Sequence, residues 1–539
     1  MKHRRLMVVA VITFIALASG GWLLQREADS DRTVYQEAAL FEQVLAKVSD
    51  DYVDSIDERR LYDMAIDGLL DQLHDPYSVF LKGDDFRALS ETTSGNYGGL
   101  GIQIDVRDGW ITVIAPLPDT PAERAGIHSG DQVIALDGRS TEGWKNDQAV
   151  KQLRGQPGTT VELKVRRVGA DQPLTFQITR AIIHIRSVYL SLMLDDKVGY
   201  VALSPVSETS AQELTDAITD LTKKGMKSLI LDLRGNPGGL LDQGIAVSNL
   251  FLDPGQEVVE TRGRAPNSTR VYRDAEAQAW PNLPIVVLVN GGSASAAEII
   301  AGALQDHDRA VLIGTPTFGK GLVQSLWQLS QETALKLTTA RWYTPSGRTI
   351  QRRSRDEADQ EAQVALAEAG RDTTRPDTTQ TFHTDGGRVE YGGGGIRPDV
   401  FVAPDTFTTG ERAFLKALGP KVTTYRDVLS SYALELKGDG HLTAANFVVT
   451  DEMVSTVLRR LRDRGVAVSD SIAAGGRGLV AQELGYEGAQ YAFGRAAESR
   501  RRLGDDRELQ DALALARRAK SPQDLLALAV SGATPPTHN

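Results

Sequence analysis

The chain has 539 residues, of which 41% are hydrophobic and 24% are charged, a composition that excludes a wholly disordered chain and suits three or four domains. Its formal net charge is −11 at pH 7 and it contains no long basic patch, which argues against a nucleic-acid binder. It has no cysteine, which excludes disulfides, thiolate nucleophiles, cysteine-ligated zinc and a lipid-modified N-terminal cysteine.

Residues 1–25 combine a basic start with an apolar run. Lys-His-Arg-Arg at positions 2–5 precedes Leu6–Leu24, which would span about 28 Å as a helix, close to the ~30 Å core of a bilayer. Two interpretations stay open. Ala16-Leu17-Ala18 resembles a signal-peptide cleavage site, whereas the run continues through Trp22–Leu24, which favours a retained membrane anchor. Both predict that the remaining chain lies in the periplasm or another extracytoplasmic space of a bacterial-type cell envelope.

Helical spacing dominates residues 34–92, which we interpret as an N-terminal helical part of the protein. Apolar residues recur every three or four positions at Phe41, Val44, Leu45 and Val48 and again from Leu61 to Leu70. The segment Asp75–Ser78 contains a proline and predicts a break between short helices.

Residues 93–168 have the pattern of a small β domain. Ile102, Ile104 and Val106 alternate as in a strand. The blocks that follow one another in an order resembling a PDZ domain are Gly98–Ile102, Trp110–Ile114, Pro121–Ile127, Gly130–Gly138 and Val161–Val165. The resemblance implies that a protein C-terminus adds a strand to the edge of the domain's sheet. The loop whose N–H groups would hold the terminal carboxylate comprises Gly99, Leu100, Gly101 and Ile102, and its glycines allow close approach of an anion.

Residues 169–404 alternate short apolar runs with helical stretches. The apolar runs are Gly199–Leu203, Ser228–Leu233, Pro284–Val289 and Ala310–Ile313. Such runs suit strands that are buried on both faces. The helical stretches between them, such as Ala211–Lys223 and Ala296–Asp306, imply a largely parallel sheet and an α/β fold class.

Two other regions depart from this α/β pattern. Residues 352–388 are polar and predict an exposed, mobile insertion with a short helix at 357–369. Residues 405–539 are mostly helical to about residue 530. Docking on the core, homo-oligomerisation and binding of an adaptor are all open roles for this C-terminal helical region.

Ser295 lies at a strand-to-helix junction within Asn290–Glu298. A serine there can present its hydroxyl at the carboxyl edge of a sheet, and the free N–H groups of the following helix favour an oxyanion. The same segment fits a capping box in which Ser295 is a simple N-cap and Glu298 its partner. Both interpretations stay open on this motif alone.

Two glycine-rich segments complete the candidate site. In Phe318–Gln324, Lys320 lies between two glycines, and Gln324 follows where a helix or a fold-back would let its amide reach the lysine. Lysine becomes a base only if burial lowers its pKa towards neutrality, and a surface lysine in a turn is the ordinary alternative. In Asp232–Leu240 a strand ends in a loop whose N–H groups could donate to an oxyanion, although a plain turn would have the same pattern.

Together these segments resemble the carboxy-terminal processing proteases, also called tail-specific proteases, over roughly residues 34–404. The resemblance is carried by Ser293–Glu298, Gly319–Gln324, Asn236–Gly239 and Tyr343–Arg348, with the PDZ-like domain upstream. It implies a crotonase-like α/β core and a serine endopeptidase that cleaves proteins near exposed, apolar C-termini without metal or cofactor. The implied roles are nucleophile for Ser295, general base for Lys320, orientation of the lysine for Gln324, oxyanion donors for the N–H groups of Gly238 (rather than Gly239) and Ala296, and structural support for Asp306.

The sequence also contains features of three alternatives to a Ser-Lys protease. A Ser-His-Asp triad would use His307 as its base. His307 follows the nucleophile's own helix by about three turns, ~18 Å along its axis, so its ring cannot easily return to Ser295. The segment Gly314–Gly321 nearly fits a nucleotide-binding P-loop, but Gly321 replaces the serine or threonine that holds magnesium. A PDZ scaffold that binds C-termini without cutting them is the alternative function.

Arg154 is a candidate regulatory residue. It closes the predicted PDZ helix Val150–Leu153, at a position that the family resemblance includes. We hypothesise that it couples tail binding to alignment of the protease site. A solvated charge at the end of a helix is the alternative interpretation.

Overall fold

The computed structural model describes residues 35–194, 197–352 and 377–532. The predicted signal peptide or anchor (1–25) and the predicted helix at 357–369 lie outside these ranges. Within them, no helix has the length and apolar character needed to cross a bilayer. The chain divides into two compact units, of which the first contains residues up to Lys82 together with Leu326–Thr338, and the second contains the rest.

The first unit contains the predicted N-terminal helices. Its elements are helix α1 (35–51), helix α2 (Glu58–Asp71) and strand β1 (Val79–Lys82). Strand β1 pairs antiparallel with the first half of β18 (Thr333–Tyr343). The predicted break is confirmed, because the Ser78 hydroxyl donates to the Asp75 carboxylate at 2.5 Å and closes a turn there.

The second unit begins with helix α3 (Gly83–Ser94) and a β domain. The elements of that domain are β2 (Asn96–Gly99), β3 (Ile102–Arg107), β4 (Trp110–Pro116), α4 (Pro121–Arg124), β5 (Gln132–Leu136), β6 (Arg139–Ser140), α5 (Asn146–Leu153), β7 (Thr160–Arg166), β8 (Leu174–Thr179) and β9 (Ala181–His184). The strand order of its main sheet is β3-β4-β5-β7-β8, with β6 beside β5. Strand β3 is therefore an edge strand, and one side of its backbone is unpaired within the sheet.

The α/β core is built on a six-stranded sheet with the order β10-β11-β12-β15-β16-β21. These strands are β10 (Val188–Met193), β11 (Val198–Leu203), β12 (Ser228–Asp232), β15 (Ile285–Val289), β16 (Val311–Gly314) and β21 (Val400–Phe401). All neighbours pair in parallel except β10 and β11, which confirms the predicted largely parallel sheet.

Both faces of this sheet are covered, which explains its near-continuous apolar strands. Alternate residues such as Leu229 and Leu231 face helices α6 (Ser210–Lys223), α7 (Leu241–Asn249) and α8 (Ala296–Asp306). The intervening Ile230 and Leu288 instead pack against the last helices of the chain. The other core elements are β13 (Glu257–Gly263), β14 (Arg270–Arg273), β17 (Leu322–Gln328), β19 (Asp377–His383) and β20 (Val389–Gly392).

The C-terminal region is helical, as the sequence predicts. Its helices are α9 (Thr409–Leu418), α10 (Val422–Gly438), α11 (Asp451–Asp463), α12 (Asp470–Phe493), α13 (Arg495–Asp505), α14 (Arg507–Arg518) and α15 (Pro522–Gly532). Helices α9 to α12 enclose an apolar core of their own. Helices α14 and α15 contribute residues such as Leu509 and Leu525 to the second face of the central sheet. Of the three open roles, docking on the core is therefore realised.

The polar stretch 352–388 differs from its prediction at both ends. Arg352 is 3% exposed and donates to the carbonyl oxygens of Phe318, Thr317 and Gly394. Strands β19 and β20 form an antiparallel hairpin, and Arg388 binds Asp308 and Asp399. These arginines satisfy buried carbonyl and carboxylate groups, a role that a local excess of charge does not reveal.

Candidate active site

The turn before α8 holds Ser295 in an unusual backbone conformation. Ser295 is half-buried, with φ 53° and ψ −116°, whereas an ordinary N-cap residue has extended backbone angles. A non-glycine residue at such angles costs about 1–3 kcal/mol, and residues of this kind concentrate at functional sites. A simple helix cap needs no such strain. The conformation therefore favours presentation of the Ser295 side chain over a purely structural cap.

A fully buried carboxylate joins the two motifs that contain Ser295 and Lys320. The Glu298 oxygens accept from the N–H groups of Ser295 (2.9 Å), Gly319 (2.7 Å) and Lys320 (2.9 Å), and from the Thr317 hydroxyl (2.5 Å). One oxygen, Oε2, receives both the Ser295 and the Lys320 N–H. The two nitrogens are thus separated by no more than twice 2.9 Å, although their residues are 25 positions apart in the chain.

The ionisation of Glu298 is set by two opposed effects. Complete burial raises the pKa of its carboxyl, and the four hydrogen bonds counter part of that rise. All four partners are donors, so the ionised form, which only accepts, matches its surroundings. The capping relation that the sequence predicts is present, because Glu298 accepts from the Ser295 N–H. The wider role of Glu298 as a clamp was missed.

Lys320 lies in the connection between β16 and β17. Lys320 is half-buried, and its carbonyl oxygen accepts from the indole of the buried Trp342 at 3.0 Å. Trp342 and Glu298 therefore fix the lysine's backbone from two sides. A strand, Leu322–Gln328, follows the lysine. A P-loop requires a helix at this point, so the nucleotide-binding interpretation is wrong.

Gln324 lies within that same strand. The helical route by which its amide could reach Lys320 is therefore wrong. Every second side chain of an extended chain lies on the same face. Lys320, Leu322 and Gln324 therefore share one face if the chain is already extended at Lys320, two residues before β17 begins. The Gln324 Nε2 group is buried and has no hydrogen-bond partner in the described part of the chain. A buried donor without a partner is costly, so this amide is a candidate for a contact made only when the site is occupied.

The loop after β12 places Gly238 directly against Ser295. A Cβ added at Gly238 would lie 2.8 Å from both the Ser295 Cβ and the Ala296 nitrogen, and its φ of 87° suits glycine. The Ala296 N–H donates to no group among the described residues. The Gly238 N–H donates to Asn236 Oδ1 at 2.9 Å. The two predicted oxyanion donors are thus adjacent, and the one at Gly238 must be shared with, or released by, Asn236.

Asp306 and His307 lie at the opposite end of α8 from Ser295. Asp306 is 2% exposed and accepts from Arg348 at 2.7 Å and from the Ser346 N–H at 3.0 Å. The His307 ring contacts Asp385 and the Glu257 carbonyl oxygen, each at 2.7 Å. Eleven helical residues, about 16 Å, separate this end from Ser295. Asp306 can support the fold there, and His307 is not placed to act as the base.

A second concave site lies on the β domain, between the edge strand β3 and helix α5. The residues that line it are Tyr97, Gly99, Leu100, Gly101, Ile102, Ile104, Val150, Leu153 and Arg154. All four loop residues proposed to hold a carboxylate are thus in its wall. Gly101 has a φ of 78°, and a Cβ there would lie 2.3 Å from the Thr120 Cβ. The site therefore requires glycine at this position, as a close backbone approach implies.

Arg154 ends helix α5 at one end of this groove. Its guanidinium forms an ion pair with Glu91 of α3 and lies 4.7 Å from the centre of the Tyr97 ring. Glu91 was not predicted from the sequence, because its distance along the chain hides the contact. Arg154 is therefore a bridge between the groove and α3, and not simply a solvated charge.

Comparisons with known proteins match the two regions of the chain that contain these sites. The model of "Peptidase family S41" matches residues 197–358, that of a PDZ domain matches 90–166, and that of an "Activating protease CtpB N-terminal domain" matches 19–84. A carboxy-terminal-processing protease of Bartonella bacilliformis is 40% identical over 354 residues, which are 64% of this chain and 81% of that protein. The carboxy-terminal processing protease CtpA of Bacillus subtilis is 38% identical over 346 residues, 64% of this chain and 73% of that protein.

A solved structure of a photosystem II D1 C-terminal processing protease is also similar. It shares 28% identity, covers 68% of this chain and 88% of its own, and has a TM-score of 0.35. Family membership follows from the two sequence relatives, and not from this solved neighbour.

Proposed function

The chain belongs to the carboxy-terminal processing proteases, which are serine-type peptidases of family S41, and we propose that it cuts proteins near their C-termini with a Ser295–Lys320 dyad. The observation that carries this proposal is the clamp at Glu298, whose carboxylate holds the backbones of both residues. The strained backbone of Ser295 and the contact with Gly238 support the same assignment.

The proposed reaction proceeds through an acyl-enzyme. The neutral amine of Lys320 removes the Ser295 proton as the hydroxyl oxygen attacks the peptide carbonyl carbon. The N–H groups of Ala296 and Gly238 stabilise the resulting oxyanion, aided by the N-terminus of α8. The carbon–nitrogen bond then breaks, and the Lys320 ammonium gives its proton to the leaving amine. Water, deprotonated by Lys320, hydrolyses the ester and restores Ser295. Gln324 orients the lysine, and Asp306 supports the far end of α8.

The substrate tail is proposed to bind the groove of the β domain. Strand β3 is an edge strand, so an extended peptide can pair with it while the N–H groups of the Gly99–Ile102 loop hold the terminal carboxylate. The groove wall includes Leu100, Ile104 and Leu153, which suits an apolar last residue. The substrates are thus proteins with exposed, apolar C-termini.

A single experiment tests cleavage, the base and the tail together. A model protein with an apolar C-terminal tail is incubated with wild-type enzyme or with Lys320→Ala, and products are identified by mass spectrometry. We expect wild type to cut near the C-terminus and Lys320→Ala to lose at least about 10³-fold in rate, because Ser295 then has no base. Amidating the substrate's terminal carboxylate should also slow cleavage strongly.

The matched control is Lys227→Ala, since Lys227 is an exposed lysine of the same core. It should leave the rate unchanged. Cleavage by Lys320→Ala at the wild-type rate would rule out the dyad, and equal cleavage of free and amidated tails would rule out carboxylate capture.

Regulation by the tail is proposed to pass through Arg154. A tail carboxylate in the groove competes with Glu91 for this arginine and so acts on α3. The carbonyl oxygen of Thr93 in α3 accepts from the Glu208 N–H, and the nearby Val206 N–H donates to the Gly238 carbonyl oxygen. This chain of contacts leads from the groove to the proposed oxyanion loop.

Arg154→Ala is expected to lower cleavage of tailed substrates about tenfold, a typical size for coupling between sites. Hydrolysis of a short activated ester that lacks a tail should not change. The measurement is the ratio of the two rates. The matched control is Lys151→Ala, which should leave the ratio unchanged, because Lys151 of the same helix also pairs with α3, at Asp84, but does not line the groove. Full activity of Arg154→Ala on tailed substrates would remove the regulatory proposal.

Location and assembly stay predictions from the sequence. Residues 1–25 favour export to, or anchoring at, the outer side of a membrane. Homo-oligomerisation or adaptor binding is supported by α1, where Leu40, Phe41 and Val44 are each more than half exposed.

A further inference from the structure

A buried ion cluster ties the proposed oxyanion loop to the C-terminal helical region. Arg234 lies in that loop, two residues after the end of β12. Its guanidinium donates to Asp232 (2.6 Å), to Asp506 (2.7 and 3.1 Å) and to Glu508 (2.6 Å). The side chains of Asp232 and Glu508 are 5% and 7% exposed. Two of the three carboxylates thus come from more than 270 residues further along the chain.

Asp506 is the N-cap of helix α14 and Glu508 lies in its first turn. The helix lies antiparallel to β12. At the other end of the helix, the Ala516 carbonyl oxygen accepts from the hydroxyl of Ser228, the first residue of β12. Asp506 also caps the helix by accepting from the Leu509 N–H at 2.9 Å. The helix is thereby held at both ends against the strand that leads into the loop.

The loop in turn holds the segment that contains Ser295. The Leu233 carbonyl oxygen accepts from the Ser293 hydroxyl at 2.8 Å, and the Asn236 carbonyl oxygen accepts from the Ala294 N–H at 2.9 Å. A shift at Arg234 therefore moves groups that position both the nucleophile and its oxyanion donors.

We propose that Asp506 and Glu508 are positioning residues for catalysis, which makes the C-terminal helical region part of the protease site. The inference rests on the proposed function. With both carboxylates neutral, Arg234 keeps one ionic partner, Asp232, and the loop loses its anchor. With one neutral, the other still binds Arg234 and the anchor is weakened but not lost, so the double variant should have the larger effect.

The test compares Asp506→Asn/Glu508→Gln with wild type. Asparagine keeps the helix cap and glutamine the side-chain volume. We expect kcat to fall about 10- to 100-fold, because a displacement of about 1 Å in a catalytic geometry costs on that order. KM for a tailed peptide should stay within about twofold. Inhibition by a peptide aldehyde, whose adduct with Ser295 mimics the oxyanion, should weaken by the same factor as kcat.

Controls separate positioning from stability. Glu435→Gln breaks an exposed ion pair with Arg460 in the same helical region and should change none of these values. Glu508→Asp should retain more activity and aldehyde affinity than Glu508→Gln. If the double variant does not fold, the comparison of Glu508→Asp with Glu508→Gln tests the positioning role. Equal aldehyde affinity of these two single variants would overturn the inference.

Ser295→Ala is measured in parallel. If it is inactive while a folded double variant keeps wild-type kcat and aldehyde affinity, the positioning role is overturned and the proposed function stands. If Ser295→Ala is itself fully active, the proposed function fails.

Discussion

Replacing Ser295 by alanine is expected to lower kcat/KM for a tailed protein by about 10⁴- to 10⁶-fold, the range seen when a serine protease loses its nucleophile. Alanine removes the oxygen that is proposed to attack the carbonyl and leaves the groove of the β domain untouched. The dissociation constant for an apolar tail peptide should therefore stay within about twofold. Cleavage is measured by mass spectrometry and binding by calorimetry on the same preparation.

The neighbouring Ser293 provides a matched control. Its hydroxyl donates to the Leu233 carbonyl oxygen and accepts from the Asn290 N–H, so it is structural. Ser293→Ala should cost about 1–3 kcal/mol of stability and lower kcat/KM far less than Ser295→Ala does, because the hydrogen bond from the Ala294 N–H to Asn236 still holds the segment. A Ser295→Ala protein that still cuts would refute the nucleophile. A wild-type protein that binds tails without ever cutting them would instead favour the scaffold function.

Glu298→Gln is expected to have the second largest effect, because it breaks the clamp between the segments that contain Ser295 and Lys320. The carboxylate accepts from four donors, whereas an amide oxygen can serve only two and its NH₂ group faces the others. The loss should be about 2–4 kcal/mol of stability and roughly 10²-fold in kcat. Thermal unfolding measures the first, and turnover normalised to folded enzyme measures the second.

Glu390→Gln is the corresponding control. Glu390 is also buried and binds Arg348 at 3.0 Å, but this contact lies with Asp306 at the far end of α8. It should destabilise the protein and leave turnover per folded molecule nearly unchanged. If Glu298→Gln, like Glu390→Gln, loses stability but keeps its turnover per folded molecule, Glu298 does not organise the proposed dyad.

Local patterns predicted most of the fold. The apolar runs at β11, β12 and β15 and the helical spacing before α8 are properties of neighbouring residues, and the structure confirms them. The turn at Ser295 followed from the same order of strand and helix. Arg352 was misjudged because its acceptors, the carbonyl oxygens of Phe318 and Gly394, lie far from it in the chain.

The unpredicted parts of the site are all long-range contacts. Glu298 reaches residues about 20 positions further on, Arg154 reaches 63 positions back to Glu91, and Arg234 reaches Asp506. The spacing of residues along the sequence does not indicate such long-range pairs. One signal was available for Glu298, because it is the single polar residue among the first nine residues of the fully buried helix α8. For Gln324 the local spacing was misleading. Its position four residues after Lys320 suggested a helix, whereas Gly319 and Gly321 lead into a strand.

The position of α14 and α15 in the chain has a consequence for biosynthesis. The strands of the central sheet are synthesised long before the helices that cover their second face. Ile230 and Leu288 are therefore exposed to solvent in a partly synthesised chain. The β domain, whose apolar core comes entirely from residues 100–178, can fold early. We therefore expect the nascent chain to hold a folded β domain beside an incomplete α/β core, and that core to be complete only once synthesis has passed these helices.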